Sequence, residues 1–80
     1  MGRRHEPQEA LGRAIRQLRD ERGLKQKELA QSADMNVTAI SHIERGRANP
    51  AWGTVRRIAA ALDVPVSEVA TRAELLADDD

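Results

Sequence analysis

Apolar residues return every three or four positions along most of this chain, and glycine, asparagine and proline mark the breaks between those runs. That spacing predicts helices with one buried side. Leu11, Ala14, Ile15 and Leu18 predict a helix over 8–22. Pro7 suits its first turn, Glu9 favours its amino end, and Arg22 followed by Gly23 stops it. Leu24 reads as a buried connector. Leu29 and Ala33 predict a short helix over 26–33, broken by Asp34 and Met35. Asn36 caps a third helix over 37–45, anchored by Ile40 and Ile43 and ended by Gly46 as a left-handed residue. The segment RANP at 47–50 is a loop, because Pro50 disfavours helix at Asn49. Trp52, Val55, Ile58, Ala59 and Leu62 predict the inner side of a fourth helix over 51–62, with Trp52 in the core. Val64 and Pro65 then turn the chain into a fifth helix from 66 to 76, burying Val69 and Ala73. The expected architecture is all-α: a flexible arm at 1–7, a compact five-helix domain at 8–76 and a disordered acidic tail at 77–80.

Composition supports this reading. Eighty residues suffice for one domain and not for two. Trp52 is the only aromatic, which argues against a sheet protein, while the dominant Ala, Leu, Arg, Glu and Gln all favour helix. Net charge is zero, but its distribution is not even. Residues 1–47 hold ten Lys/Arg against seven Asp/Glu, and residues 48–80 hold three against six. A basic working half and an acidic remainder would give this polarity, and so would a merely solvated surface.

Several function classes drop out. There is no Cys, so neither a disulfide nor a thiolate metal site exists. The two histidines, His5 and His42, lie 37 residues apart, with no metal-ligand spacing around them. Ser41 and His42 are neighbours on a helix, so their side chains diverge and cannot form a nucleophile–base pair. No phosphate-binding glycine loop occurs. The chain therefore reads as a non-enzyme without cofactor. No apolar run approaches the ~20 residues of a membrane helix, and MGRRHEPQE lacks the apolar centre of a signal peptide. A cytoplasmic protein is the expectation. The five helices use up the chain, so any control is expected to come through a partner or through dimer stability.

Two short helices joined by Asp34–Asn36 have helix-turn-helix spacing. Ala30 sits where they would cross, and Ile40 and Ile43 anchor the second, leaving its other side free for a major groove. The stretch LGRAIRQLRDERGLKQKELAQSADMNVTAISHIERGRANPAWGTVRRIAAALDVPVSEV, about residues 11–69, resembles the phage-repressor and Cro type of helix-turn-helix domain, the XRE family. The elements GLKQKELA, the Asn-capped ISHIERG, NP and TVRRIAAALDV occur in family order and spacing. The resemblance implies a lambda-repressor-like fold of five helices, a homodimer and binding to a palindromic operator as a transcriptional regulator. Lys25 stands where the family prefers a Ser or Thr cap, Asp34 where Gly is common, and Pro65 where Ser or Thr is usual. Gly53 is a poor helix former near the start of the fourth helix.

The same resemblance implies residue roles. Val37, Thr38, Ala39, Ser41 and His42 are expected to face base edges. Val37 also lies three before Ile40, a core spacing. Thr38 can donate, accept or touch a thymine methyl; Val37 and Ala39 offer apolar contact; His42 can donate to a purine N7. Lys25, Gln26, Lys27, Arg45, Arg47 and Asn49 are expected on phosphates. Arg19 and Glu44 are expected to pair and to orient the recognition helix. Arg3 and Arg4 serve either as a DNA-binding arm or as plain tail. Val64, Val66, Val69, Leu75 and Leu76 are too many apolar residues for the end of so small a core, so some are expected to pair across a two-fold axis in a dimer interface formed by helix 5 and its flanks. The competing reading is a protein-interaction module on this fold, of antitoxin or anti-repressor type.

Overall fold

The computed structural model describes residues 6–78. Arg3, Arg4, His5 and the last two aspartates of the tail lie outside the described residues. The helices are α1 (Pro7–Glu21), α2 (Gln26–Ser32), α3 (Val37–Glu44), α4 (Trp52–Ala61) and α5 (Val66–Ala77). Every described segment of regular structure is helical, as the apolar spacing requires. Pro7 is itself the first residue of α1, one position earlier than expected, because Glu6 serves as cap: its backbone N–H donates to Glu9 Oε1 at 2.8 Å. At the other end α5 takes in Ala77, one residue beyond the expected helix end, and uses Asp78 as its cap.

Four helices end in the same way. After α1, α2, α3 and α4 the chain passes through one residue with positive φ: Gly23 at 67°, Asp34 at 56°, Gly46 at 73° and Asp63 at 59°. The next N–H then turns back onto a carbonyl five residues earlier. Leu24 bonds Arg19 O, Met35 bonds Ala30 O, Arg47 bonds His42 O and Val64 bonds Ala59 O, at 2.8–3.1 Å. This satisfies carbonyls that a helix end leaves orphaned. Asp is one of the few non-glycine residues that enter this region at small cost, so the Asp at position 34 leaves the turn intact.

The core is drawn from all five helices. Ile15, Leu18, Leu29, Ile40, Ile58, Leu62 and Val69 are each less than 2% exposed. Two expectations need correction. Trp52 is 64% exposed rather than buried. It is the first residue of α4, and helical side chains lean toward the amino end, so at that position it overhangs the packed turns instead of entering them. Val64, Val69 and Leu76 are buried within the single chain at 7%, 1% and 8% exposure. The reason is that α5 packs most extensively along α1, which absorbs the apolar surplus; of the five residues assigned to a dimer interface, only Leu75 is exposed and Val66 half-buried. Among the described residues no helix is long and apolar enough to cross a membrane.

Arg72 fastens α5 to the end of α1. Its Nη1 lies 2.6 Å from Glu21 Oε2 and 3.2 Å from Gln17 Oε1, and its Nη2 lies 3.2 Å from Glu21 Oε1. The hydrogen bonds from Arg72 hold the Glu21 carboxyl below its ordinary value of 4.5. A carboxyl whose pKa is depressed by folding contributes stability above its unfolded value and loses it as pH falls through the folded value. Arg72→Ala is therefore expected to lower the melting temperature modestly at pH 7. The deficit should shrink as pH falls and the Glu21 carboxyl of the folded wild type takes up its proton, leaving what the Gln17 bond contributes. A deficit that stays unchanged as pH falls would show that Arg72 acts through packing and its bond to Gln17, not through the Glu21 carboxylate.

Candidate nucleic-acid interface

The third helix enters its position with one side already committed. Asn36 Oδ1 accepts the Ala39 N–H at 3.0 Å, closing the first turn. Ile40 is fully buried, and Ile43 and Glu44 are 4% and 6% exposed. Their side rests on α1, and the contact is close. A Cβ built on Gly12 would stand 2.9 Å from the Glu44 carbonyl oxygen and would overlap the Ile43 carbonyl oxygen. Both obstacles are backbone, so only glycine fits. At the carboxyl end, Gly46 needs its positive φ and also has no room: a Cβ there would lie 2.8 Å from Glu9 Cγ. Two glycines thus let the end of α3 lie directly on α1.

Beside that contact sits a buried knot of polar groups. Arg19 Nε donates to Glu44 Oε2 at 2.7 Å and Arg19 Nη2 to Glu44 Oε1 at 3.0 Å. The Glu44 side chain is 2% exposed and that of Arg19 is 11%. Arg19 Nη1 donates to the Leu24 carbonyl at 2.8 Å, and Asp20 Oδ1 lies 3.4 Å from the same nitrogen. Gln26 Nε2 donates to Glu44 Oε1 at 2.9 Å. The Arg19 pKa is raised, chiefly by the hydrogen bond to Glu44, against the opposing effect of burial. Two-point Arg–carboxylate bonding fixes direction as well as distance. The knot joins α1, the α1–α2 connector, the start of α2 and the end of α3.

The other side of α3 faces out. Val37 is 43% exposed, which answers its ambiguous spacing, and Thr38 and His42 are exposed too; Ala39 and Ser41 are half-buried. Lys25, Lys27, Arg45, Arg47 and Asn49 are exposed, and among the described residues none of these four cations has an ion-pair partner. Gln26 is half-buried, with one amide hydrogen held by Glu44. An amide nitrogen carries two hydrogens, so one remains for another acceptor. Lys25 precedes α2 without a side-chain cap bond, but Glu28 Oε1 accepts the Lys25 N–H at 2.8 Å and closes half of a capping box. Among the described residues no group of His, Cys, Asp or Glu could hold a metal ion.

Sequence reasoning missed three features here. Gly12 carried a usable signal, a glycine inside an otherwise regular helical pattern. The Gln26–Glu44 bond spans 18 positions and the bonds from Arg57 to Ala33 span 24, so neither appears in local spacing.

Comparison with known proteins agrees with this geometry. A sequence model described as a helix-turn-helix domain matches residues 10–72. This chain belongs to that family. Within the helix-turn-helix family it is 36% identical over 64 residues to the HTH-type transcriptional regulator DdrOP3 of Deinococcus deserti, covering 80% of this chain and 50% of the relative. It is 33% identical over 69 residues to the immunity repressor protein of Bacillus phage phi105, covering 86% and 48%. The phage-repressor resemblance therefore holds. The chain spans about half the length of the curated relatives it matches. In structure it is similar to the clp gene regulator ClgR from Corynebacterium glutamicum, with TM-score 0.90, 28% identity and coverage of 95% of this chain and 99% of that one. It is also similar to the restriction-modification controller protein C.Esp1396I, seen as a tetramer on its natural 35 base-pair operator, with TM-score 0.80, 25% identity and coverage of 90% and 96%.

Proposed function

We propose that this helix-turn-helix chain is a sequence-specific DNA-binding transcriptional regulator that sets α3 into the major groove, and that it works as a dimeric repressor on a palindromic operator. The observation that carries this is the division of α3. Ile40, Ile43 and Glu44 are spent on its own core, while Val37, Thr38 and His42 of the same helix face solvent. Exposed, unpaired cations lie just before α2 and just after α3, where such domains meet the DNA backbone. The names of the relatives and the operator complex of C.Esp1396I support the reading. Such a role belongs in the cytoplasm, with the DNA.

On this reading the exposed surface has two jobs. Lys25, Lys27, Arg45, Arg47, Gln26 and Asn49 act on phosphates, and Val37, Thr38, Ala39, Ser41 and His42 act on base edges. No Arg, Asn or Gln stands among the second group, so discrimination rests on the Thr38 hydroxyl, the His42 ring and apolar contact with thymine methyls. Dimerisation is proposed through the outer side of α5 near its carboxyl end, with Leu75, 64% exposed, at the contact. A two-fold pair would hold its two α3 helices about 34 Å apart, one turn of DNA.

Two measurements test the proposal. The first uses a site selected from a random DNA pool and a scrambled copy. Lys25→Ala is expected to weaken binding to both alike and to flatten the salt dependence by roughly one unit. Thr38→Ala and His42→Ala are expected to cost ~1–3 kcal/mol on the selected site and little on the scrambled one. Equal losses on both DNAs would instead support a protein-interaction module. The second is sedimentation of the whole chain: wild type should be dimeric at high micromolar concentration and Leu75→Glu monomeric. A monomeric wild type, with or without DNA, would remove the dimer.

A further inference from the structure

The α2–α3 turn is held from outside by a residue with no assigned role. Arg57, in the middle of α4, donates from Nε and Nη2 to the Ala33 carbonyl at 3.1 and 3.0 Å, and from Nη2 to the Asp34 carbonyl at 2.7 Å. Ala33 is the residue that caps α2 at its carboxyl end. Its carbonyl has no partner within the helix, and a cation there is also favoured by the helix dipole. Asp34 is the turn residue with φ at 56°. The guanidinium fork therefore grips two successive carbonyls on either side of the one left-handed step in the turn. Asn36, two residues later, caps α3.

We propose that Arg57 is a positioning residue for DNA reading: by fixing the 33–36 turn from α4, it sets the direction in which α3 leaves that turn, and thereby sequence discrimination, without touching DNA. The inference rests on the reading of α3 given above. The knot at Glu44 fixes the carboxyl end of α3; the amino end, with Val37 and Thr38, is anchored through the turn. Base-edge contacts from such short side chains tolerate misplacement of only about 0.5 Å. Long lysine and arginine side chains on phosphates tolerate far more. Loosening the turn should therefore weaken specific binding and leave general affinity in place. Lysine is no substitute at position 57, since a single ammonium cannot bridge two carbonyls in a fixed fork.

The test uses the full chain, with Arg57→Ala and Arg57→Lys, well below the melting temperature of each variant. Affinity is measured on a duplex selected from a random pool and on its scrambled copy, across a range of salt. The expected result is a fall of about tenfold in the selected-to-scrambled ratio for both variants, the loss of roughly one base contact, with unchanged salt slopes. Amide exchange at Met35 and Ala39 should quicken in both. Two results would overturn the inference: a wild-type ratio in both variants, which leaves Arg57 as a stabilising contact only, or a salt slope flattened by about one unit in Arg57→Ala and restored in Arg57→Lys, which makes it a phosphate ligand. If wild type itself shows no preference for the selected duplex, the DNA-reading function fails first and this inference falls with it.

Discussion

A carboxylate buried at the end of a surface helix is costly unless something answers its charge and its lone pairs. Glu44 stands in that position, and the rest of this small domain is arranged around it. Arg19 answers both oxygens, Gln26 shares one of them, and Arg19 also reaches the Leu24 carbonyl. No buried side-chain nitrogen or oxygen among the described residues is left without a partner. Apolar packing of Ile40 and Ile43 holds α3 against the core but leaves some freedom to slide or roll. A two-point ion pair allows very little, because its donors must stay in the plane of the carboxylate. Gly12 and Gly46 are the steric counterpart: by having no side chains they permit the close approach that brings Glu44 within reach of α1.

The exposed side of α3 depends on that arrangement. One helix of eight residues is too short to be stable alone, so the direction of its outward side chains is set by what grips its two ends. The knot at Glu44 grips one. The turn, with Asn36 as cap and Arg57 across it, grips the other. Between these anchors, Val37, Thr38 and His42 are carried on a rigid support, as the proposed reading of DNA by small side chains requires. Lys25, Lys27, Arg45 and Arg47 sit at the edges of the same helix pair, and the phosphate contacts proposed for them need no such accuracy.

Much of this was legible in the chain because most of it is local. Helix positions follow from residues three and four apart, and their ends from Gly23, Asn36 and Gly46, whose conformational preferences act within a few residues. The misreadings have a common origin. Trp52 had core spacing with Val55 and Ala59, but spacing does not say whether a helix has a neighbour alongside its first turn. Val64, Val69 and Leu76 looked surplus because the extent of α1 available to α5 is a tertiary fact. The Gln26–Glu44 and Arg57–Ala33 bonds join surface-type residues across long stretches of chain, and nothing in their immediate surroundings marks them. The pairing of Arg19 with Glu44, 25 positions apart, was foreseeable only through the family resemblance.

Arg19 and Glu44 act as one unit that fixes α3. A double-mutant cycle measures this directly: unfolding free energies of wild type, Arg19→Met, Glu44→Leu and the double variant. Each single change should be severe, since it strands a buried partner, at ~3–5 kcal/mol. The double change should recover much of the loss, giving a coupling energy of ~2 kcal/mol or more. Additive losses, with coupling below about 0.5 kcal/mol, would mean that the two side chains stabilise the fold independently and that the orientation of α3 does not rest on their bond.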